Sequence, residues 1–513
     1  MATRSPPIPP SPSAHADALL VRKAMPCSVT MPAGTGKTEI IAAMTHLAAD
    51  AHERALILTH THAGMDALRR RIKAMGVQSR TVRIDTIASW SHRLVRQYPY
   101  LAGVTVPAEP DWAASALYYE GATHVVQAPS LQKVLAATYA FAIVDEYQDC
   151  TMRQHALTTA VAAAVPVAVF GDPLQAIFGW DHDDPLPSWR DEIQSLWPDL
   201  RIEAYPWRWQ GHNRQLGQWL LTVRDDFSQQ RPLRIGDETP VRWVQSEQYR
   251  AMVRACRDLR AQFPNDSIVA IGIRDHDCHG VARTLNGSYS VMETIEGQDM
   301  VNFARIVDEG DAPRIAAATA KWGKTCTSGI SKLINSDDVR KLESGRPITG
   351  LRRPGAERAQ KHLSALLTDP SPAAVREALD TIGRLPGGAT YRHDAWYTVL
   401  SALRTAEVNG QSVADAAIQH RNRTRATGRR ASHHTISRPT LIKGLEYDHA
   451  IILDADQHDP TSLYVALTRA RKTLTVISAQ PELRTRPRQP VGGGSGRTPG
   501  RRRGSAVQQP MLL

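Results

Sequence analysis

The sequence predicts an α/β protein built on parallel sheets covered by helices, and three observations carry that expectation. Short β-branched or apolar runs recur at 27–31, 55–59, 140–144, 167–170, 267–273, 449–453 and 473–477. Longer helical patterns separate many of them, the alternation that parallel strands and their crossovers require. The run at 27–31 leads through a glycine-containing loop into a helix-like stretch, and the run at 140–144 ends in adjacent carboxylates.

Taken in chain order, residues 1–16 are rich in Pro and Ser, have little to bury, and are expected to be disordered. Met31-Pro-Ala-Gly-Thr-Gly-Lys-Thr38 then stands between an apolar strand and Glu39-Ile-Ile-Ala-Ala-Met44, the context a phosphate-binding loop needs. Gly34 and Gly36 let the backbone curl so that successive N–H groups, Thr35 among them, point at one anion. Lys37 would neutralise the β- and γ-phosphates, and the Thr38 hydroxyl would meet Mg²⁺. The first position is Met31, where the usual pattern has Gly. In Phe141-Ala-Ile-Val-Asp-Glu-Tyr-Gln-Asp149 a buried strand delivers Asp145 to its carboxyl end, placed to hold a Mg²⁺ water shell, with Glu146 next to it as base for an attacking water. A third strand, Val167-Ala-Val-Phe170, runs into Gly171-Asp-Pro-Leu-Gln175, where Gln175 is placed to sense the γ-phosphate.

Composition bounds the rest. A length of 513 residues with 42% hydrophobic and 22% charged content predicts three or four folded units and excludes a small binding module or a disordered chain. The formal charge is +11, but seven arginines after Leu483, with no acid among them, account for much of it; without them the body carries +4. Five cysteines form no C-x-x-C pair, so neither a zinc ribbon nor a disulfide framework is indicated, and a reducing cytoplasm is expected. The apolar stretch near Ala160–Phe170 is broken by Pro166, and the N-terminus has no secretory pattern, so no membrane association is expected. The expected division is a disordered 1–16, a first sheet domain at 17–195 with a short insertion near 101–136, a second formed by 196–295 with 430–480, a mainly helical insertion at 296–429, and a disordered Arg-rich tail at 481–513.

These motifs, together with Ile442-Lys-Gly-Leu-Glu-Tyr447 and Tyr464-Val-Ala-Leu-Thr-Arg-Ala470, resemble the ordered series of superfamily 1 helicases of the UvrD/Rep/PcrA branch over most of the chain. The resemblance implies two RecA-like P-loop NTPase lobes with ATP and Mg²⁺ in the cleft between them. It implies that Arg208, in Tyr205-Pro-Trp-Arg-Trp209, and Arg469 are γ-phosphate arginines, that Trp207 stacks on the base, and that Glu446 lies near the ribose. It further implies that Phe178 and Trp180 stack on the bases of single-stranded DNA, with His60 and Thr440 as additional strand contacts.

The departures are specific. Residues 15–30 contain no Gln to read adenine, His60 replaces an aromatic, and Arg438-Pro-Thr-Leu-Ile442 replaces polar residues usual before Lys443. Both accessory insertions are reduced, which favours translocation over processive strand separation. The Arg- and His-rich segment 419–434 reads equally as a phosphate-tracking loop or a solvated linker. Asp275-His-Asp-Cys-His279 reads as a turn after a strand.

The leading expectation is thus a Mg-ATP-dependent motor on single-stranded DNA or DNA ends, moving 3′ to 5′, in repair or antiphage defence. Its rival is a nucleotide-responsive subunit regulating a nuclease partner, resembling the helicase-like subunit of Gabija-type antiphage systems. A small-molecule kinase leaves Trp180, Trp207 and the 464–470 motif unused.

Overall fold

The structure, a computed structural model, describes residues 8–179, 181–246, 248–294, 297–349, 354–427 and 432–483. Residues 1–7 of the first segment expected to be disordered, and nearly all of the Arg-rich tail (484–513), lie outside the described residues. The expected disorder of 1–16 does not extend to its end. A helix begins at Pro12, because Ser11 caps it by accepting from Ala14 N and proline at the first helical position needs no N–H partner.

The first sheet contains β1 (Cys27–Thr30), β2 (Ala55–Thr59), β3 (Val82–Thr86), β4 (Phe141–Val144) and β5 (Val167–Gly171), all parallel in the order β1-β5-β4-β2-β3. Every residue of β2, β4 and β5 is buried, as expected of strands covered on both faces. Successive side chains supply opposite cores. Phe141 and Ile143 join Ala18, Ile40 and Ile41 on one face, while Ala142 and Val144 join Ile87, Trp90 and Val125 on the other. β3 was not among the predicted runs, because Val82-Arg-Ile-Asp-Thr86 is an edge strand that carries an exposed Arg83 and so lacks a continuous apolar signature. The short insertion supplies the helices Ser115–Gln127 and Pro129–Thr138 to the second of these cores.

Beyond the first sheet come β6 (Leu233–Arg234), β7 (Arg242–Gln245), β8 (Ile268–Ile271) and β9 (Ser290–Val291). The insertion that follows runs from the helix Gln298–Glu309 to the helix Val413–Thr427 and buries its own core, including Trp322, Leu342, Leu379 and Trp396. It holds two strands that helical periodicity did not foresee, β10 (Thr327–Ser328) and β11 (Ala389–Thr390), paired antiparallel but only two residues long. The chain then returns through β12 (His434–Ser437), β13 (Tyr447–Ile452), β14 (Ala470–Ser478) and β15 (Glu482–Leu483). The second sheet is parallel, in the order β7-β14-β13-β8-β12-β9, so strands before and after the insertion build one body. β15 pairs antiparallel with β6.

Residues 275–279 are not a turn: they open the helix Asp275–Thr284, with Asp275 and Asp277 in its first turn, where their charges favour the helix dipole. The Arg-rich segment begins within the helix Val413–Thr427, and residues 428–431 lie outside the described set. Among the described residues, no helix is long and apolar enough to cross a membrane.

Candidate active site

The loop after β1 owes its shape to two glycines in the left-handed region, Gly34 at φ 72° and Gly36 at φ 102°. The helix Lys37–Asp50 starts directly behind them with no side-chain cap at Gly36; Glu39 N and Ile40 N turn back to Gly36 O, and the Lys37 and Thr38 N–H groups at its start are placed for an anion. Thr35 closes the turn by donating Oγ1 to Pro32 O at 2.8 Å. Lys37 Nζ lies 3.3 Å from Glu146 Oε1. Burial opposes the Lys37 charge, but Glu146, Asp145 and Asp172 outweigh it and raise its pKa.

Asp145 and Glu146 leave the carboxyl end of β4, one strand removed from β1 across β5. Glu146 sits in the left-handed region at φ 56°, which is strained for a side-chain-bearing residue and is a conformation found preferentially at functional sites. Its N–H donates to Asp145 Oδ1 at 2.9 Å, and Gln148 Nε2 donates to its Oε2 at 2.5 Å. Burial, then the neighbouring Glu146, push Asp145 above the ordinary carboxylate range. Burial works in the same sense on Glu146 but is overcome by Lys37, Lys443 and the Gln148 hydrogen bond, which hold it below that range.

The second body supplies the opposite wall. Trp207-Arg-Trp209 lies against the loop: Arg208 N donates to Gly34 O at 3.0 Å, and a Cβ on Gly36 would come within 3.2 Å of Trp207 Cδ1. Trp209 is buried and anchored through Nε1 to Ala470 O at 2.7 Å, whereas Trp207 remains 45% exposed beside the phosphate loop, with the Tyr205 ring tilted against it at 4.4 Å between centroids. Arg208 bonds Thr468 O at 2.7 Å and pairs with Glu446 at 2.9 Å, leaving its buried Nε without a hydrogen-bond partner.

Arg469 is almost wholly buried. Its guanidinium donates to Val465 O, Leu445 O, Thr468 Oγ1 and, at 3.2 Å, Gln175 Oε1, all neutral acceptors. Burial, then Arg208, hold its pKa down to about 10, so it stays charged near neutrality. A buried cation without a carboxylate partner is uncompensated in charge, and an anion in the cleft would balance it.

Gly34, Thr35, Gly36, Lys37, Thr38, His60, Asp145, Glu146, Gln175, Trp207, Arg208, Glu446 and Arg469 thus line one cavity of about 570 Å³, drawn from both bodies. That volume suits a small ligand. His60, expected with the strand contacts, lines this cavity, its Nε2 3.2 Å from Cys150 Sγ. Burial, then Lys443, push its pKa to about 4, so it is neutral. Phe178 and the half-buried Thr440 do not line the cavity, and Trp180 lies outside the described residues. The oxygens available to a metal are hard ones: Thr38 and Asp145 meet the cavity, and no cluster of three His, Cys, Asp or Glu that could hold a metal exists among the described residues. One carboxylate and one hydroxyl beside a phosphate loop fit Mg²⁺, which keeps waters and shares phosphate oxygens rather than filling an all-protein cage.

Sequence reading left several residues of this site without a role. Lys443 joins the bodies, pairing with Asp149, donating to Gln175 O at 2.5 Å and standing 5.3 Å from the Phe178 ring centroid. Its place in the 442–447 motif was a usable signal. Gln148 and Asp172 stand beside residues that were recognised, whereas Arg224, which grips Asp172, carries no sequence signal.

Comparison with known families matches residues 16–180 to the model described as AAA domain, a domain found in UvrD/Rep-like helicases. The match takes in the loop, Asp145, Glu146 and Gln175, and identifies this part of the chain as a P-loop nucleotide-binding domain of the helicase type. No curated protein matches the chain.

Proposed function

We propose that the protein is a Mg-ATP-dependent translocase of the UvrD/Rep-like superfamily 1 kind, moving along single-stranded DNA in the 3′ to 5′ direction in repair or antiphage defence. The observation that carries this reading is the shared cavity, in which Lys37 of the phosphate loop and Arg469 of the second body line the same space. A P-loop domain alone needs no second wall. A wall with a buried, carboxylate-free arginine and a partly exposed tryptophan supports a role in hydrolysis and base stacking.

In this reading the first-turn N–H groups and Lys37 hold the phosphates, Glu146 takes a proton from water, and Gln175 orients that water. Arg208 and Arg469 stabilise the charge that develops on the transferred phosphoryl group. Thr38 and Asp145 would hold Mg²⁺, which supplies charge neutralisation at the phosphate oxygens. Lys443, against both Asp149 and the Phe178 ring, links fuel site to track.

The test is ATP turnover with and without single-stranded DNA. Wild type is expected to be stimulated, with the stimulation fading as salt rises. Lys37→Ala should abolish turnover, whereas Phe178→Ala and Trp180→Ala should remove only the response to DNA. Turnover indifferent to single strands in wild type rules the motor out.

A further inference from the structure

Asp172, at the end of β5, is a node. Its side chain is fully buried and its carboxylate receives four hydrogen bonds: Leu174 N at 3.3 Å, Gln175 Nε2 at 2.9 Å, and Arg224 Nη1 and Nη2 at 2.9 and 3.0 Å. Two oxygens offer about four acceptor sites, so the carboxylate is saturated. Its backbone N–H donates to Gln148 Oε1 at 2.9 Å, and Gln148 Nε2 donates onward to Glu146. Asp172 therefore holds the sensor amide directly and stands one residue away from the general base.

Its strongest partner comes from across the cleft. Arg224 opens the short helix Arg224–Ser228 of the second body, and its side chain is only 15% exposed. It makes the two-pronged contact that only a guanidinium makes to a carboxylate. Nη1 also donates to Tyr464 OH at 2.6 Å. Tyr464 lies on the helix Pro460–Leu467, which leads directly into Thr468 and Arg469. A closed circuit results: Arg224 to Asp172, Asp172 to Gln175, Gln175 to Arg469, and back along the helix to Tyr464 and Arg224.

The circuit fixes the sensor. A guanidinium only donates, so the carbonyl oxygen of Gln175 must face Arg469 and its NH₂ must face Asp172. Burial disfavours the Arg224 charge, but Asp172 and Tyr464 outweigh it and raise its pKa, so the fork remains ionised.

We propose that Arg224 is a positioning residue for ATP hydrolysis. It touches no reacting atom; by clamping Asp172 when the two bodies meet, it sets the orientation of Gln175 and braces the helix that presents Arg469. The inference rests on the ATPase reading above and adds to it the part that senses closure.

The test uses the full chain: wild type, Arg224→Gln, Arg224→Lys, Gln175→Ala and the Arg224→Gln/Gln175→Ala double variant. Measured are kcat and KM for ATP with single-stranded DNA, affinity for a non-hydrolysable ATP analogue, and melting temperature. Misplacement without loss of the ligand contacts predicts that Arg224→Gln lowers kcat on the order of 10- to 100-fold, with KM and analogue affinity within about twofold. In the Gln175→Ala background the same change should cost far less than it does alone, because the route through Gln175 is already cut and only the brace on the Arg469 helix remains to be lost. Arg224→Lys keeps the charge and the packing but not the fork. It should melt like wild type while sharing the kcat defect, and it carries the test if the Gln variant does not fold.

Additive losses in the double variant overturn the proposal, as does a KM or analogue affinity that worsens in step with kcat. A lysine variant with wild-type turnover also overturns it. A wild type that hydrolyses no ATP removes the functional reading and this one with it, whereas an active wild type with any of the contrary patterns removes only the clamp.

Discussion

Replacing Gly34 with alanine separates two costs that usually travel together. Gly34 lies at φ 72°, and an added Cβ would stand 2.8 Å from Trp209 Cζ3 and 2.9 Å from Arg208 Cβ. The left-handed backbone costs an alanine about 1–2 kcal/mol in any state of the protein. The contact with Arg208 and Trp209 is different, because it exists only while the second body rests on the loop. Overpacking of that kind costs about 1–3 kcal/mol, and at 1.36 kcal/mol per tenfold it lowers a closure-dependent kcat by roughly 5- to 150-fold. Gly103 provides the control: it has nearly the same φ, 70°, with nothing within 4 Å of its Cβ position. Gly103→Ala should lose stability by the strain alone and keep full turnover. The assay is steady-state ATP hydrolysis at saturating ATP and single-stranded DNA, beside thermal melting of both variants. If Gly34→Ala melts lower but turns over within twofold of wild type, contact between 207–209 and the loop is no part of the hydrolytic cycle.

The remaining predictions concern buried charge. Lys443→Ala leaves Asp149, whose side chain is 2% exposed, without its ion-pair partner; it should cost about 3–5 kcal/mol in urea denaturation, and Lys443→Met with Asp149→Asn should recover most of that. A loss below about 1 kcal/mol in the single variant shows that the pair is not formed in solution. His458 is fully buried, and burial, which outweighs Asp459 and Leu453 O, pushes its pKa down to about 4. The unfolded chain, with a histidine pKa near ~6.5, then binds more protons between the two values, so stability falls with pH through that window by roughly 3 kcal/mol and levels off below it. His458→Gln should flatten that part of the stability profile measured by denaturation from pH 7 to pH 4; an unchanged slope refutes the assignment.

What was legible in the sequence was local. A strand, a glycine loop and a helix within about a dozen residues announce the phosphate side, because one continuous segment makes it. Strands buried on both faces, such as β4 and β5, showed as unbroken apolar runs. β3 and the two-residue pair β10 and β11 did not, because an exposed edge and a very short ladder leave no apolar period to read. The contacts that join the bodies were hidden for another reason. Lys443 meets Asp149 across 294 positions, and Arg224 meets Asp172 across 52. Arg224 and Asp226 fall in a short charged helix that by pattern alone is solvent surface. Buried cross-body pairs depend on where the fold carries a segment, and composition says nothing of that.

The cleft's charges suggest how binding and chemistry are joined on the proposed reading. Three cations at the cavity are held by acids: Lys37 by Glu146, Lys443 by Asp149 and Arg208 by Glu446. Arg469 has neutral acceptors only, and Arg208 Nε is buried without a partner. A triphosphate brings more negative charge than any of these acids, so it competes first where the cation is least satisfied, at Arg469 and Arg208, and next at Lys37. Drawing Lys37 toward phosphate removes the main opposite charge that holds Glu146 ionised and occupied. Gln148 still orients Glu146, so the carboxylate loses its ion pair while keeping its aim. The nucleotide that creates the need for a base would thereby release one, and would do so only when Lys37 and the second wall have both engaged it. Uncoupled hydrolysis in the open cleft is disfavoured on this logic by the Lys37–Glu146 pair itself.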